Sequence, residues 1–125
     1  MKARSDPSVP TALLVAAGGS IGALARWGVL TAIPLDADGF PWATLLVNVV
    51  GCLLIGAAAR RLAPATDMWF GVVTGCIGGF TTFSAFANEV WILVDTDRAP
   101  VALVYVAVTL AGGVAAVELG RLAAR

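Results

Sequence analysis

The chain has 125 residues, of which 59% are hydrophobic and 13% charged, with eight basic and eight acidic side chains and no histidine. So apolar and charge-poor a composition excludes a soluble domain of this size and marks an integral membrane protein. Zero net charge, with no basic cluster beyond Arg60 and Arg61, gives no sign of a nucleic-acid partner, and without histidine neither a Ser-His-Asp nor a Cys-His catalytic set can be built, so no enzyme is expected.

A membrane-spanning helix needs about 20 mostly apolar residues, and four runs meet that requirement: roughly 11 to 33, 42 to 60, 68 to 94 and 99 to 120. Almost nothing remains for a soluble part. The expected fold is an all-α membrane protein, a single domain of four transmembrane helices over residues 1 to 125. The polar stretch Met1 to Val9 is expected to be disordered, and Asp6 and Pro7 argue against a cleaved signal peptide, so the run that follows is read as a retained helix.

The first run carries Gly18, Gly19, Gly22 and Ala23, small residues four apart that let a neighbouring backbone approach closely. Arg26 stands beside Trp27 near its far end. Two readings are open: the guanidinium snorkels to the headgroups, or it lines an aqueous vestibule. Trp27, Trp42 and Trp91 fall at outer ends and Trp69 at an inner one, as belt anchors do.

The second run places Thr44 and Asn48 four apart and so on one helical face, with Asn48 about a third of the way into the membrane at ~1.5 Å per residue. Gly51 and Gly56 follow. Cys52, like Cys76 in the third run, sits amid apolar residues where a thiol acts as a small hydrophobe. Neither a disulfide nor a Cys/His metal site is expected.

The third run is the exceptional one. As an unbroken helix its 27 residues would span about 40 Å, against a core of about 30 Å. Gly75 to Phe86, Gly-Cys-Ile-Gly-Gly-Phe-Thr-Thr-Phe-Ser-Ala-Phe, predicts a break at its middle: Gly78 and Gly79 adopt conformations closed to other residues and end one half-helix, and Thr81 or Thr82 caps the next. Irregular backbone at that depth survives only where it is buried in protein or lines a cavity. Carbonyls at the upstream end attract a cation, and NH groups at the downstream end an anion. No carboxylate lies at the break, so a cation held there depends on carbonyl oxygens, which suits sodium. Phe83 and Phe86 share a face, and their ring edges carry the positive part of the quadrupole. Glu89, two turns beyond Ser84, is expected to partner a hydroxyl or arginine, or to take part in function.

The fourth run puts Tyr105 and Thr109 four apart, with Gly113 next on that face. Each polar pair, here and in the second run, reads either as interhelical hydrogen bonds or as part of a path through the bundle. Glu118 is expected to pair with Arg121 or Arg125. With four spans both termini share a side with the loop after the second run, and that side carries Lys2, Arg4, Arg60, Arg61, Arg121 and Arg125, against Arg98 opposite. Loop Lys and Arg mark the cytoplasmic face, so both termini are expected inside, in the plasma membrane.

Gly-Gly-Ser-Ile-Gly-Ala-Leu-Ala-Arg-Trp at 18 to 27, Thr-Leu-Leu-Val-Asn-Val-Val-Gly at 44 to 51 and the Gly75 to Phe86 motif with Glu89 together resemble the fluoride channels of the Fluc/CrcB family over all four spans. The resemblance implies an antiparallel dimer of four-helix subunits, a structural sodium ion at its centre on backbone carbonyls, and fluoride pathways lined by both subunits. Carried over by position, the sodium carbonyls belong to Gly78 and Thr81. The fluoride pathway takes Phe83, Phe86, the amide of Asn48 and the hydroxyls of Ser84, Tyr105 and Thr109, with Thr44, Arg26 and Glu89 as accessory groups. Where relatives often continue the hydroxyl track, this chain has Gly113. An antiparallel pair of identical chains would place six basic loop residues of one copy outside, so the charge bias favours a paralogous partner of opposite orientation. Two other classes bear comparison. A small four-helix proton-coupled multidrug exporter needs a carboxylate in its first helix, and residues 11 to 33 have none; a non-transporting membrane scaffold has no need of a polar helix break.

Overall fold

The computed structural model describes residues 9–33 and 39–125. Among these every regular element is helical: α1 (Val9–Ala32), α2 (Trp42–Arg61), α3 (Asp67–Trp69), a π-helical stretch (Phe70–Ile77), α4 (Gly78–Phe80), α5 (Phe83–Asp95) and α6 (Ala99–Ala123). Four helical spans are long and apolar enough to cross a bilayer, and the third runs Asp67–Asp95. The chain is a multi-pass membrane protein with its third span interrupted at Thr81 and Thr82. The disorder expected for Met1 to Val9 falls outside the described residues except at Val9, which opens α1.

Side-chain contacts fix the directions of the spans. Thr11, near the start of α1, donates its hydroxyl to Asp67 Oδ1 at 2.6 Å, and further along α1 Gly22 lies against Cys76 and Phe80; α1 and the first half of the third span therefore run parallel. Thr44 of α2 meets Glu89 and Asn48 meets Thr82, so α2 is antiparallel to that span. Tyr105 of α6 also meets Glu89, while Gly120 packs on Leu53 and Ala57, which sets α6 parallel to α2. The result is an up-down-up-down bundle whose large apolar side chains face outward: Leu24, Leu103 and Val114 are each two-thirds exposed or more, as suits lipid.

The small-residue stripe of α1 is a backbone seam. A Cβ on Gly18 would come within 2.2 Å of the Gly71 carbonyl oxygen, one on Gly22 within 2.0 Å of that of Cys76, and one on Gly79 within 2.4 Å of that of Gly19. Here lies a correction to the sequence expectation. Gly78 is ordinary right-handed helix, at φ −62° and ψ −38°, and neither Gly78 nor Gly79 has a positive φ. The break comes at Thr81 (φ −74°, ψ 160°) and Thr82 (φ −146°, ψ 119°), both in extended conformations open to any residue. Gly79 is there for close approach to α1, not for conformational freedom.

The π-helical stretch was not foreseen from the sequence. Its i→i+5 bonding widens each turn and shortens the rise per residue, so it contributes, with the break, to fitting a long apolar run into one membrane thickness. Ahead of it, at the start of α3, Thr66 accepts the Trp69 N–H at 3.2 Å, an N-cap that leaves Asp67 in the first turn, where its charge suits the helix dipole. The far end of the bundle is held by a cluster of Leu45, Leu93, Ala102 and Tyr105, with Phe40 and Phe86 packed on it. At the near end Arg121 pairs with Glu118 at 2.9 Å, as expected from their spacing.

Candidate functional site

Two side chains make the break and keep it open. In a continuous helix the Thr82 N–H would donate to the Gly78 carbonyl and the Ala85 N–H to that of Thr81. Instead the Thr82 N–H donates to Asn48 Oδ1 at 2.9 Å, and the Ala85 N–H donates to Thr82 Oγ1 at 3.1 Å. Both carbonyls are thereby released from their helical bonds. Asn48 completes the clamp by donating through Nδ2 to the Thr82 carbonyl at 3.0 Å. Thr82 is thus the N-cap of α5, one of the two candidates that the sequence offered.

The released Thr81 carbonyl has a partner that neither sequence reading of Arg26 foresaw. Arg26 Nη1 donates to it at 2.8 Å, so the guanidinium turns in to the break and caps a carbonyl in a charge-assisted bond. Gly78 is exposed, and its released carbonyl and that of Thr81 are hard, neutral oxygen donors of the kind that replaces an alkali ion's hydration shell. Gly51 of α2 makes room for the Thr81 side chain, since a Cβ there would meet the Thr81 methyl at 2.1 Å.

Beyond the break, Phe83 and Phe86 stack on one face with ring centroids 6.2 Å apart and planes tilted 44°. Phe83 is 80% exposed in the single chain. A cavity of about 540 Å³ opens beside it, lined by Asn48, Cys52, Gly78, Thr81, Phe83, Phe86, Thr109 and Gly113 among others. Ser84 lies at its edge through Thr82, their hydroxyl oxygens 3.3 Å apart. Among the described residues no ionised side chain lines the cavity. Thr109 is notable within it because its hydroxyl oxygen is buried without a hydrogen-bond partner.

Glu89 is the hub that connects the two polar pairs read from the sequence. Thr44 donates to its Oε1 at 2.6 Å and Tyr105 to its Oε2 at 2.7 Å, with both hydroxyl-bearing side chains almost fully buried. Of the two partners expected for Glu89, hydroxyl or arginine, the hydroxyl is the one found. Glu89 also lines a second, smaller cavity of about 340 Å³ with Thr44, Trp42 and Leu30, and Tyr105 packs on Phe86, which lines the cavity at the break.

The structure therefore gathers Asn48, Thr81, Thr82, Phe83, Phe86 and Thr109 around one cavity and sets Thr44, Tyr105 and Glu89 beside it. It also commits groups that sequence reasoning left free. Part of the Asn48 amide is spent on Thr82, which leaves its second N–H; the Tyr105 hydrogen is spent on Glu89. The Asn48 clamp had one legible signal, an amide four residues from Thr44 facing a cap residue. Contact between Arg26 and Thr81 had none, because 55 residues separate them.

Comparison with known proteins gives one consistent answer. The family described as "CrcB-like protein, Camphor Resistance (CrcB)" matches residues 13–121. Among similar proteins, the fluoride-specific ion channel FluC of Rhizobium etli is 41% identical over 87% of this chain and 91% of its own length. That of Erythrobacter litoralis is 39% identical over 95% of each. Fluoride-specific ion channel FluC 2 of Streptomyces avermitilis is 43% identical over 81% of this chain, a match that spans 66% of the relative's length.

Proposed function

The chain belongs to the CrcB family, and on that premise we propose that it is a fluoride-specific ion channel that lowers cytoplasmic fluoride by passive export. The observation that carries the reading is the cavity at the helix break. It offers an amide N–H, a hydroxyl and phenyl edges, and among the described residues neither a carboxylate to select cations nor a lysine to trap an anion. Fluoride is small and strongly hydrated, so donors along a path must replace its water yet bind weakly enough to release it. Neutral donors strike that balance better than a charged one. Hydrogen fluoride crosses the bilayer and ionises inside, and the negative-inside potential then drives the trapped anion outward through an open pathway.

In this reading Asn48 presents its remaining N–H, Phe83 and Phe86 present ring edges, and Ser84 and Thr109 present hydroxyls. Tyr105, Thr44 and Glu89 hold the path's outer end. Arg26 supplies fixed positive charge at the break, which favours an anion nearby.

The released Gly78 carbonyl, with the Thr81 carbonyl through the lone pair that its bond from Arg26 leaves over, suits a sodium ion, whose charge would tie the break to its surroundings without crossing the membrane. Two carbonyls from one chain are too few to replace an alkali ion's hydration shell. A second subunit, inverted so that its own break meets this one, would supply the rest and cover the exposed Phe83. The charge bias of the loops favours a fixed orientation in the plasma membrane, with both termini inside and a paralogous chain as the inverted partner.

The test is fluoride efflux from proteoliposomes, with the chain alone and with a paralogous partner, and chloride as control. Fluoride efflux without chloride efflux is the expected result. Verified insertion with no fluoride flux in either preparation would refute the channel reading. Tagging both ends and probing their accessibility decides the topology: half of the N-termini outside would exclude a fixed orientation.

A further inference from the structure

The polar groups of α2 and α6 form two facing rows. Thr44, Asn48 and Cys52 recur four apart on α2, and Tyr105, Thr109 and Gly113 recur four apart on α6, so each set lies along one helical stripe. The helices run parallel and the rows meet rung by rung. Thr44 and Tyr105 converge on Glu89. Asn48 and Thr109 line the cavity at the break. At the third rung the α6 position is a glycine, and the place its Cβ would take lies 3.3 Å from Cys52 Sγ.

That third rung has a polar neighbour in want of a partner. A threonine within a helix commonly donates to the carbonyl four residues back; Thr109 does not, and its oxygen is buried with no hydrogen bond at all. Thr109, Cys52 and Gly113 line the same cavity. Both cysteines are free thiols, but Cys76 is not among this cavity's lining residues; it packs along the α1 seam, where its backbone meets Gly18 and Gly22.

Resting on the channel reading above, we propose that Cys52 is a pathway residue: its S–H, reaching across from α2 into the space left by Gly113, is the donor that receives fluoride from Thr109 at the inner end of the track. The glycine and the thiol are one device. A thiol is a weaker donor than a hydroxyl, which suits a last rung from which the anion must leave. A hydroxyl on α6 would be crowded by the sulfur already there.

Fluoride efflux from proteoliposomes containing Cys52→Ala, Cys52→Ser and the double variant Cys52→Ala with Gly113→Ser tests this, each compared with the wild type at equal monodisperse insertion. Cys52→Ala is expected to lower flux tenfold or more. Cys52→Ser, which keeps a donor in place, retains at least half of it, and the double variant, which moves the donor to the facing helix and removes the crowding sulfur, recovers flux above Cys52→Ala. Wild-type flux with an unchanged Cys52→Ala overturns the assignment while leaving the channel intact. Equal loss in Cys52→Ala and Cys52→Ser, with no recovery in the double variant, reduces Cys52 to packing and also overturns it. A silent wild type, alone and with a partner chain, refutes the channel and this inference together.

Discussion

The two halves of the third span are built on opposite principles. From Phe70 to Phe80 the helix is pressed against α1 through glycines, with backbone on backbone and no room for a single added methyl at Gly18, Gly22 or Gly79. From Phe83 onward the same span sets phenyl rings on the cavity of about 540 Å³, whose wall Val73, Ile77 and Gly78 of the first half also help to form, and it leaves Phe83 80% exposed. The first half is a rigid footing. The second presents chemistry, and Thr81 and Thr82 between them hold the backbone groups that the change of principle sets free. A passive pathway for a small ion needs this division, because donors that must replace a hydration shell have to be held in place before the ion arrives.

The division can be broken most severely on the rigid side. Gly22→Ala puts a methyl into the Cys76 carbonyl and the Phe80 N–H, both backbone atoms that cannot rotate away, and should cost about 3 kcal/mol or more. Thermal unfolding in detergent reads this as a large drop in midpoint or as loss of monodisperse protein. Retained stability would mean that the seam is looser than the structure has it.

At the junction, Asn48→Ala removes both clamp bonds and leaves the buried Thr82 N–H unsatisfied, a loss of about 2 kcal/mol. Fluoride flux should fall by at least about tenfold if an equivalent of 1.4 kcal/mol appears in the barrier. Asn48→Asp keeps the acceptor but places a negative charge on the path, so it should preserve more stability than alanine while blocking flux. The pair separates the clamp from the pathway: equal stability in the two variants would remove the clamp.

A smaller effect is expected at Glu89, where glutamine retains one acceptor and loses one charge-assisted bond. Its cost is about 1 kcal/mol, read as a modest fall in midpoint, and the double-mutant cycle of Glu89→Gln with Tyr105→Phe should show coupling. Additive effects would separate the two residues.

The smallest stability effect belongs to the open side. Phe83→Ala touches a side chain exposed in the single chain, so subunit stability should change by no more than about 0.5 kcal/mol, while flux drops clearly. Loss of stability without loss of flux would reverse the roles assigned to the two halves.

Much of this was legible in the sequence because its causes are local. Four apolar runs of spanning length, a polar interruption at Gly75 to Phe86, and Thr82 placed to cap α5 all follow from residue type and spacing. The motif's resemblance to a known family reached further than spacing could, since it assembled Asn48, Phe83, Phe86, Thr109 and Tyr105 from three runs. Three features were not legible. Close packing is legible in the stripe of Gly18, Gly19 and Gly22, but Gly78 and Gly79 read as points of conformational freedom because a sequence does not show that Gly19 lies against Gly79. The π-helical stretch has no compositional signature, being a response to packing along α1. The bonds of Arg26 to Thr81 and of Thr44 and Tyr105 to Glu89 join residues far apart in the chain, and only the bundle's directions bring them together.

The central claim is that neutral donors around a fixed helix break form a selective, passive pathway for fluoride. Current recorded across a planar bilayer containing the protein, alone and with a paralogous chain, under a fluoride gradient with equal chloride on both sides, tests it most directly. The account predicts a reversal potential at the equilibrium value for fluoride, unmoved when a chloride gradient is added. A reversal potential that follows chloride, or the proton gradient at constant fluoride, would contradict it.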